Sequence, residues 1–206
     1  MMEQKKLSLY ITAYLALFVP TPGRLVYGIT LLLELNILLL GGILVDFLVK
    51  KFKFTEIRTY IVMTFLIFFT VIYRQIFAIA YSEVALTLGF LFYFPPVSLL
   101  LIDNILKSSE TDFGLRIKKS LHNSLFFSFF GLILFLFRDI VCYGTFTFYG
   151  SKHQIFEKVL FNSDKIGLFS FFGTVPGVLC LIGVLFYLDV FFRNKMRIIK
   201  NSGEAE

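Results

Sequence analysis

Apolar and polar positions divide the chain into long apolar runs separated by short charged segments. About 20 consecutive apolar residues cross a bilayer. On that scale six runs predict spanning helices: Leu7 to Leu25, Val26 to Leu48, Thr59 to Tyr81, Val84 to Leu106, Leu121 to Val141 and Ile166 to Phe192. The first two are joined so tightly that their turn lies near Arg24. Four of the five prolines interrupt two of the apolar stretches, Phe18-Val19-Pro20-Thr21-Pro22-Gly23 and Phe92-Tyr93-Phe94-Pro95-Pro96. Proline removes a backbone donor and clashes with the preceding turn, and in lipid the freed carbonyls must be met by protein or by a water-lined cavity. Broken helices in corresponding positions of two halves predict a site near mid-membrane.

Composition makes lipid the solvent for much of this surface. Of 206 residues 57% are hydrophobic, 28 are Phe and only 17% are charged, more apolar surface than one soluble core of that size can hide. The prediction is an all-α membrane protein, a single integral domain over residues 1–206. The apolar run after Lys5 and Lys6 leads to Pro20 and Pro22 rather than to a small-x-small cleavage site, so no cleavable signal is expected. The longest extracytoplasmic loop, about Cys142 to Lys165, is too short for a domain of its own.

Charge then orients the spans. With six spans both termini share a side. That side collects Lys5, Lys6, Lys50, Lys51, Lys53, Arg58, Lys107, Arg116, Lys118, Lys119, Arg193, Lys195, Arg197 and Lys200. The other side has Arg24, Arg74, Arg138, Lys152, Lys158 and Lys165. Positive loops stay in the cytoplasm, so both termini are expected there. The net charge of +6 is that of short-loop anchors near anionic lipid and needs no nucleic-acid partner.

The spans fall into two halves of three, about residues 7–81 and 84–192, with a polar cytoplasmic connector at about 107–119. An odd number of spans per half makes the repeats inverted. The first span of each half carries the proline break. The second is dotted with polar residues, Glu34 and Asn36 in one half and His122, Asn123 and Ser124 in the other.

Chemistry-bearing residues are few. Glu34 lies near the centre of its span, where an ionised carboxylate costs a few kcal/mol and marks an ion or proton path; the alternative is a hydrogen-bonded acid packed against Asn36 or another helix. Asp46, Asp103, Asn104, Asp189 and Arg193 lie nearer span ends and are expected to be interfacial anchors, and Arg74 can snorkel outward. Arg138 and Asp139 are expected to pair with each other at the outer face. Cys142 and Cys180 have no Cys-x-x-Cys spacing, and Cys180 reads as a buried small hydrophobe. The Phe content reads as lipid-facing surface. No phosphate loop, dinucleotide turn, nucleophile elbow or zincin motif is present, so the chain does not read as a self-contained enzyme.

The run Leu136-Phe137-Arg138-Asp139-Ile140-Val141-Cys142-Tyr143-Gly144-Thr145-Phe146 resembles the Arg-Glu-(Ile/Leu)-x-Gly-x-Gly-Thr-Leu-Phe signature that closes the fifth span in the six-helix subunits of Rnf and Nqr electron-transport complexes. Leu88-Gly89-Phe90-Leu91-Phe92 with its following prolines is similar to the family's fourth span. Pro176-Gly177-Val178-Leu179-Cys180-Leu181-Ile182-Gly183 is similar to its last. The first span, ending in a proline break, corresponds to the family's Leu-Cys-Pro half-helix. The likeness runs from about Leu15 to Arg193 and favours the E-subunit of Rnf or the D-subunit of Nqr over their oppositely oriented partner.

The resemblance implies a bacterial inner-membrane subunit that packs with an inverted homologous partner among other membrane subunits. Each partner would give two cysteines from broken helices to a 2Fe-2S cluster while sodium or protons move. This sequence departs from that pattern at the ligands. Val19 precedes Pro20 where the first cysteine belongs, and Leu99 stands where the second belongs. Aliphatic side chains cannot ligate iron, so the cluster is expected to be absent and no cofactor is expected on this chain alone. Asp139 for Glu and Cys142 for Gly also depart from the signature. The resulting expectation is a divergent subunit of an ion-translocating complex. A small six-span transport component, such as the substrate-binding subunit of a vitamin importer, or a non-catalytic structural partner, are the alternatives.

Overall fold

The computed structural model describes residues 13, 15, 17–54, 56–106, 113–151, 154–161, 169–184, 186–187 and 191. The start of the expected first span, residues 107–112 of the connector, Asp189, Arg193 and the terminal lysines lie outside the described residues. So does the side chain of Leu99.

The protein is mostly helical. Four stretches are long and apolar enough to cross a membrane: Leu25–Lys51, Arg58–Ala80, Ser82–Leu106 and Phe113–Tyr143. The first, α1, has 27 residues and so runs about 40 Å. Its apolar residues are spread around the whole circumference, as in a spanning helix. Helix α2 is Arg58–Ala80. The third stretch is broken into α3 (Ser82–Leu88), a 3-10 turn (Gly89–Tyr93), α4 (Phe94–Val97) and α5 (Leu99–Leu106). The fourth is α6 (Phe113–Arg138) followed by a π-helical turn, Asp139–Tyr143. A shorter apolar helix, α7, covers Val175–Val184. Large apolar side chains point away from the bundle on every long helix, among them Leu33 and Leu44 of α1, Phe68 and Ile79 of α2, and Phe129 and Phe137 of α6. A continuous apolar exterior of this kind suits lipid and would be an aggregating patch in water. The protein is therefore a multi-pass membrane protein.

Both expected proline interruptions are present. Ala13, Leu15, Leu17 and Phe18 are helical, and the chain then leaves the helix through Val19 to Arg24 before α1 begins. In the second interruption Gly89, at φ +48°, ends α3. Pro95 and Pro96 occupy the first turn of α4, where an absent N–H costs nothing, and the extended Ser98 separates α4 from α5.

Two expectations need correction. The all-α reading omits an antiparallel hairpin, β1 (Thr145–Tyr149) with β2 (Ile155–Val159), paired so that Phe148 faces Phe156. Thr-Phe-Thr-Phe-Tyr alternates with the period of a strand whose one face is buried, and Thr145 and Thr147 are the buried residues. The fifth span also begins earlier than Leu121. Helix α6 is already helical at Phe113, and Arg116 and Ser120, polar in composition, are buried on its packed face.

The core lies between α1 and α6 and between α1 and α2. Gly28 sets the closest approach to α6, since a Cβ there would fall 2.3 Å from Cγ of Phe135. Phe18 from the first half-helix fills the space beside it, stacked on Phe127 and edge-on to Phe135.

Candidate functional site

Thr30, Glu34, Leu38, Gly42 and Asp46 follow each other at four-residue steps and share the buried face of α1. Polar groups occur at the two ends of this stripe and are separated by an apolar section. Gly42 is covered by Ile105 of α5 and Leu66 of α2.

Glu34 is fully buried, and neither of its carboxyl oxygens has a hydrogen-bond partner. Thr70 of α2 is a polar neighbour whose hydroxyl lies toward the carboxyl without reaching hydrogen-bond geometry, and its Oγ1 has no other hydrogen bond. Tyr73, one turn further along α2, lies near enough to feel the carboxylate and donates its hydroxyl to the Thr30 carbonyl at 3.0 Å. Thr30 Oγ1 donates to the Val26 carbonyl at 2.8 Å, so the 2.7 Å contact with the Tyr149 hydroxyl is donated by the tyrosine. A polar column therefore runs from the hairpin through Tyr149, Thr30 and Tyr73 to Glu34. The α4 turn with its two prolines packs against the same two helices.

Asn36 does not join Glu34. Two residues turn a helix by about 200°, and Asn36 faces α6, donating to Ser128 Oγ at 2.8 Å and to the Leu32 carbonyl at 2.7 Å while accepting from Ser124 Oγ at 2.8 Å. Its amide is satisfied and holds two helices together.

Arg138 and Asp139 go to different partners rather than to each other. Arg138, 1% exposed, donates Nη1 to the carbonyls of Phe18 (3.2 Å) and Thr21 (3.1 Å) and Nη2 to that of Gly173 (3.4 Å). It thus closes the open end of the first half-helix. The Asp139 carboxylate accepts from the backbone N–H of Leu25 and Thr147 and from the hydroxyls of Thr145 and Thr147. The expected pair fails because each side chain is taken on its own side of the first chain break, Arg138 by the carbonyls of Phe18 and Thr21 and Asp139 by the N–H of Leu25.

At the other end of α1, Asp46 faces into the protein rather than outward. It is fully buried and meets Arg116 Nη2 at 2.7 Å, Lys50 Nζ at 3.4 Å and Arg58 Nε. Arg58 also donates Nη2 to the Leu106 carbonyl at 3.0 Å, and Arg116 donates to that of Ile105. Burial is reached because the carboxylate is shared by three cations, which tie α1, α2, α5 and α6 at one point.

The remaining predicted positions scatter. Val19 is half-buried against the core, Pro20 is exposed, and Pro22 is half-buried. Gly23 lies against Arg138 and Tyr143. Pro95 and Pro96 are buried. Gly144 adopts φ +65° and Thr145 caps Asp139. Pro176 and Gly183 are exposed on α7, as is Cys180, which was expected to be buried, whereas Cys142 is buried. The breaks thus have separate surroundings: the first lies against Arg138 and the π-turn, and the second against Tyr73 and Phe77 of α2 through Phe92. Among the described residues no group of three or more His, Cys, Asp or Glu side chains is placed to hold a metal. Thr30, Thr70, Tyr73 and Tyr149 were not foreseen; only Thr30 carried a signal, one turn before Glu34.

No family model matches the chain, and neither a curated protein nor a solved structure matches it.

Proposed function

We propose that this chain is a membrane subunit of an ion-translocating complex of the Rnf/Nqr kind. It has six spans in two inverted repeats, sits in a bacterial inner membrane with both termini cytoplasmic, and supplies an ion path without holding the iron–sulfur cluster. The observation that carries the reading is Glu34, a buried carboxyl on a spanning helix with no hydrogen-bond partner.

A lone ionised carboxylate at that depth costs a few kcal/mol. A sodium ion beside it or a proton on it removes that cost, so in either form the side chain holds one exchangeable positive charge. Access is unequal from the two ends. The polar column of Tyr149, Thr30 and Tyr73 leads in from the hairpin, whereas Leu38, Gly42, Leu66 and Ile105 seal the side toward Asp46. The exposed Lys50, Lys51, Lys53, Lys118 and Lys119 at the Asp46 end favour placing that end in the cytoplasm. The first break keeps Val19 where a thiolate would be needed, in keeping with a subunit that serves the ion and not the electron.

The test is sodium and proton uptake by proteoliposomes holding the assembled complex, driven by electron donor, with wild-type chain and with Glu34→Gln. Uptake falling at least tenfold with electron transfer intact in the other subunits is the expected result. Unchanged uptake of both ions removes Glu34 from the path and the reading with it.

A further inference from the structure

Lys50, Arg58 and Arg116 bring three positive charges to the single negative charge of Asp46. Part of the excess is met by the backbone carbonyls of Ile105 and Leu106, which accept from Arg116 and Arg58. Among the described residues no other carboxylate meets these three cations, and the buried Arg116 Nε has no acceptor. The cluster is open on one side: Arg58 is 22% and Lys50 38% exposed, while Asp46 and Arg116 form the closed floor. Arg58 commits Nε to Asp46 and Nη2 to Leu106, which leaves Nη1 for an outside acceptor. Lys50 stands in the last turn of α1 and Arg58 in the first turn of α2, so the opening lies where the apolar spans end, at headgroup depth.

We propose that this opening binds one phosphate group, taken from an anionic phospholipid headgroup. A guanidinium and an ammonium facing the same gap match phosphate oxygens, one by a fixed fork and one as a mobile point charge. A phosphodiester with no cation of its own offsets the excess that Asp46 leaves, whereas a zwitterionic headgroup brings a second cation to a cluster already too positive. Basic pockets between spanning helices take anionic headgroups by this chemistry.

The experiment uses the full chain in nanodiscs of phosphatidylcholine, with and without phosphatidylglycerol, and follows the melting temperature and the lipids retained in native mass spectra. Phosphatidylglycerol is expected to raise the wild-type melting temperature by roughly 5 °C and to be retained at one per chain. Lys50→Gln, which leaves the Arg58–Asp46–Arg116 contacts in place, is expected to abolish both effects. The control Lys51→Gln/Lys53→Gln, which removes two exposed lysines outside the cluster, is expected to keep both. An equal loss in the control, or an undiminished shift in both Lys50→Gln and Arg58→Gln, assigns the effect to diffuse surface charge and overturns the proposal. Inorganic phosphate added to phosphatidylcholine discs separates the sources. A Lys50-dependent shift there as large as with phosphatidylglycerol overturns the lipid as the source, and no shift with either anion overturns the site.

Discussion

The Asp139 carboxylate accepts the backbone N–H of Leu25 at 3.2 Å across 114 residues of sequence, so the turn that ends α6 caps the start of α1. Arg24, the residue in the cap position, makes no side-chain cap, and the first turn of α1 contains no acid. Asp139 supplies both functions from outside, an acceptor for the free donor and a negative charge at the positive helix end.

Replacing Asp139 by Ala leaves the N–H groups of Leu25 and Thr147 and two threonine hydroxyls without their acceptor. The expected loss is about 3 kcal/mol, from one buried charged network broken on one side. Asp139→Asn keeps one acceptor oxygen and is expected to lose about half as much. Reversible denaturation in a fixed detergent checks the order of the three; an alanine variant as stable as the asparagine one contradicts the capping role.

Gly144 sits at φ +65° where the π-turn hands over to β1, and a Cβ there would fall 2.3 Å from the Phe161 carbonyl oxygen. Gly144→Ala combines left-handed strain with a backbone clash, and about 2 kcal/mol of destabilisation is expected. Because β1 carries Thr145 and Thr147 to Asp139, hydrogen exchange at the start of α1 should rise along with exchange in the hairpin.

Burial pushes the Tyr149 hydroxyl above its ordinary value. The folded state therefore holds this proton more tightly than the unfolded chain. Its effect on stability is flat below about pH 10, the unfolded value, and stability falls as pH rises beyond it. In Tyr149→Phe that slope is expected to shrink while neutral-pH stability drops by about 1 kcal/mol for the lost hydrogen bond to Thr30. Parallel pH–stability curves for the two proteins would rule this out.

Four spanning stretches and the two breaks were legible because apolar length and proline act locally, and α1 and α2 begin and end within a few residues of the apolar runs that predict them. Glu34 was legible for the same reason, as one acid in an apolar run. Partners were not. Asp46 looks like a boundary acid until Arg116 comes beside it, and Arg116 belongs to a segment whose polar composition reads as connector. Arg138 and Asp139 look like a pair because they are adjacent, but Arg138 ends the α-helix and Asp139 opens the π-turn, a change of winding that periodicity does not encode. The hairpin did announce itself through strict alternation from Thr145 to Tyr149, a signal hidden by counting that stretch only as the loop between spans.

Removing one member of the Asp46 cluster strands the others. In Asp46→Ala, Arg116 is left buried with a carbonyl as its one acceptor and Arg58 loses its ion pair, and a cost of about 3–5 kcal/mol follows from an uncompensated buried charge. An apolar replacement of both partners escapes that cost, because a desolvated ion pair contributes little over well-packed side chains of similar volume. Asp46→Leu/Arg116→Met is therefore expected to be at least 2 kcal/mol more stable than Asp46→Ala, although it has lost more polar contacts. Urea or thermal unfolding of the set in one detergent checks it, and a double variant no better than the single one would show that the carboxylate's worth lies in positioning α5 rather than in charge balance.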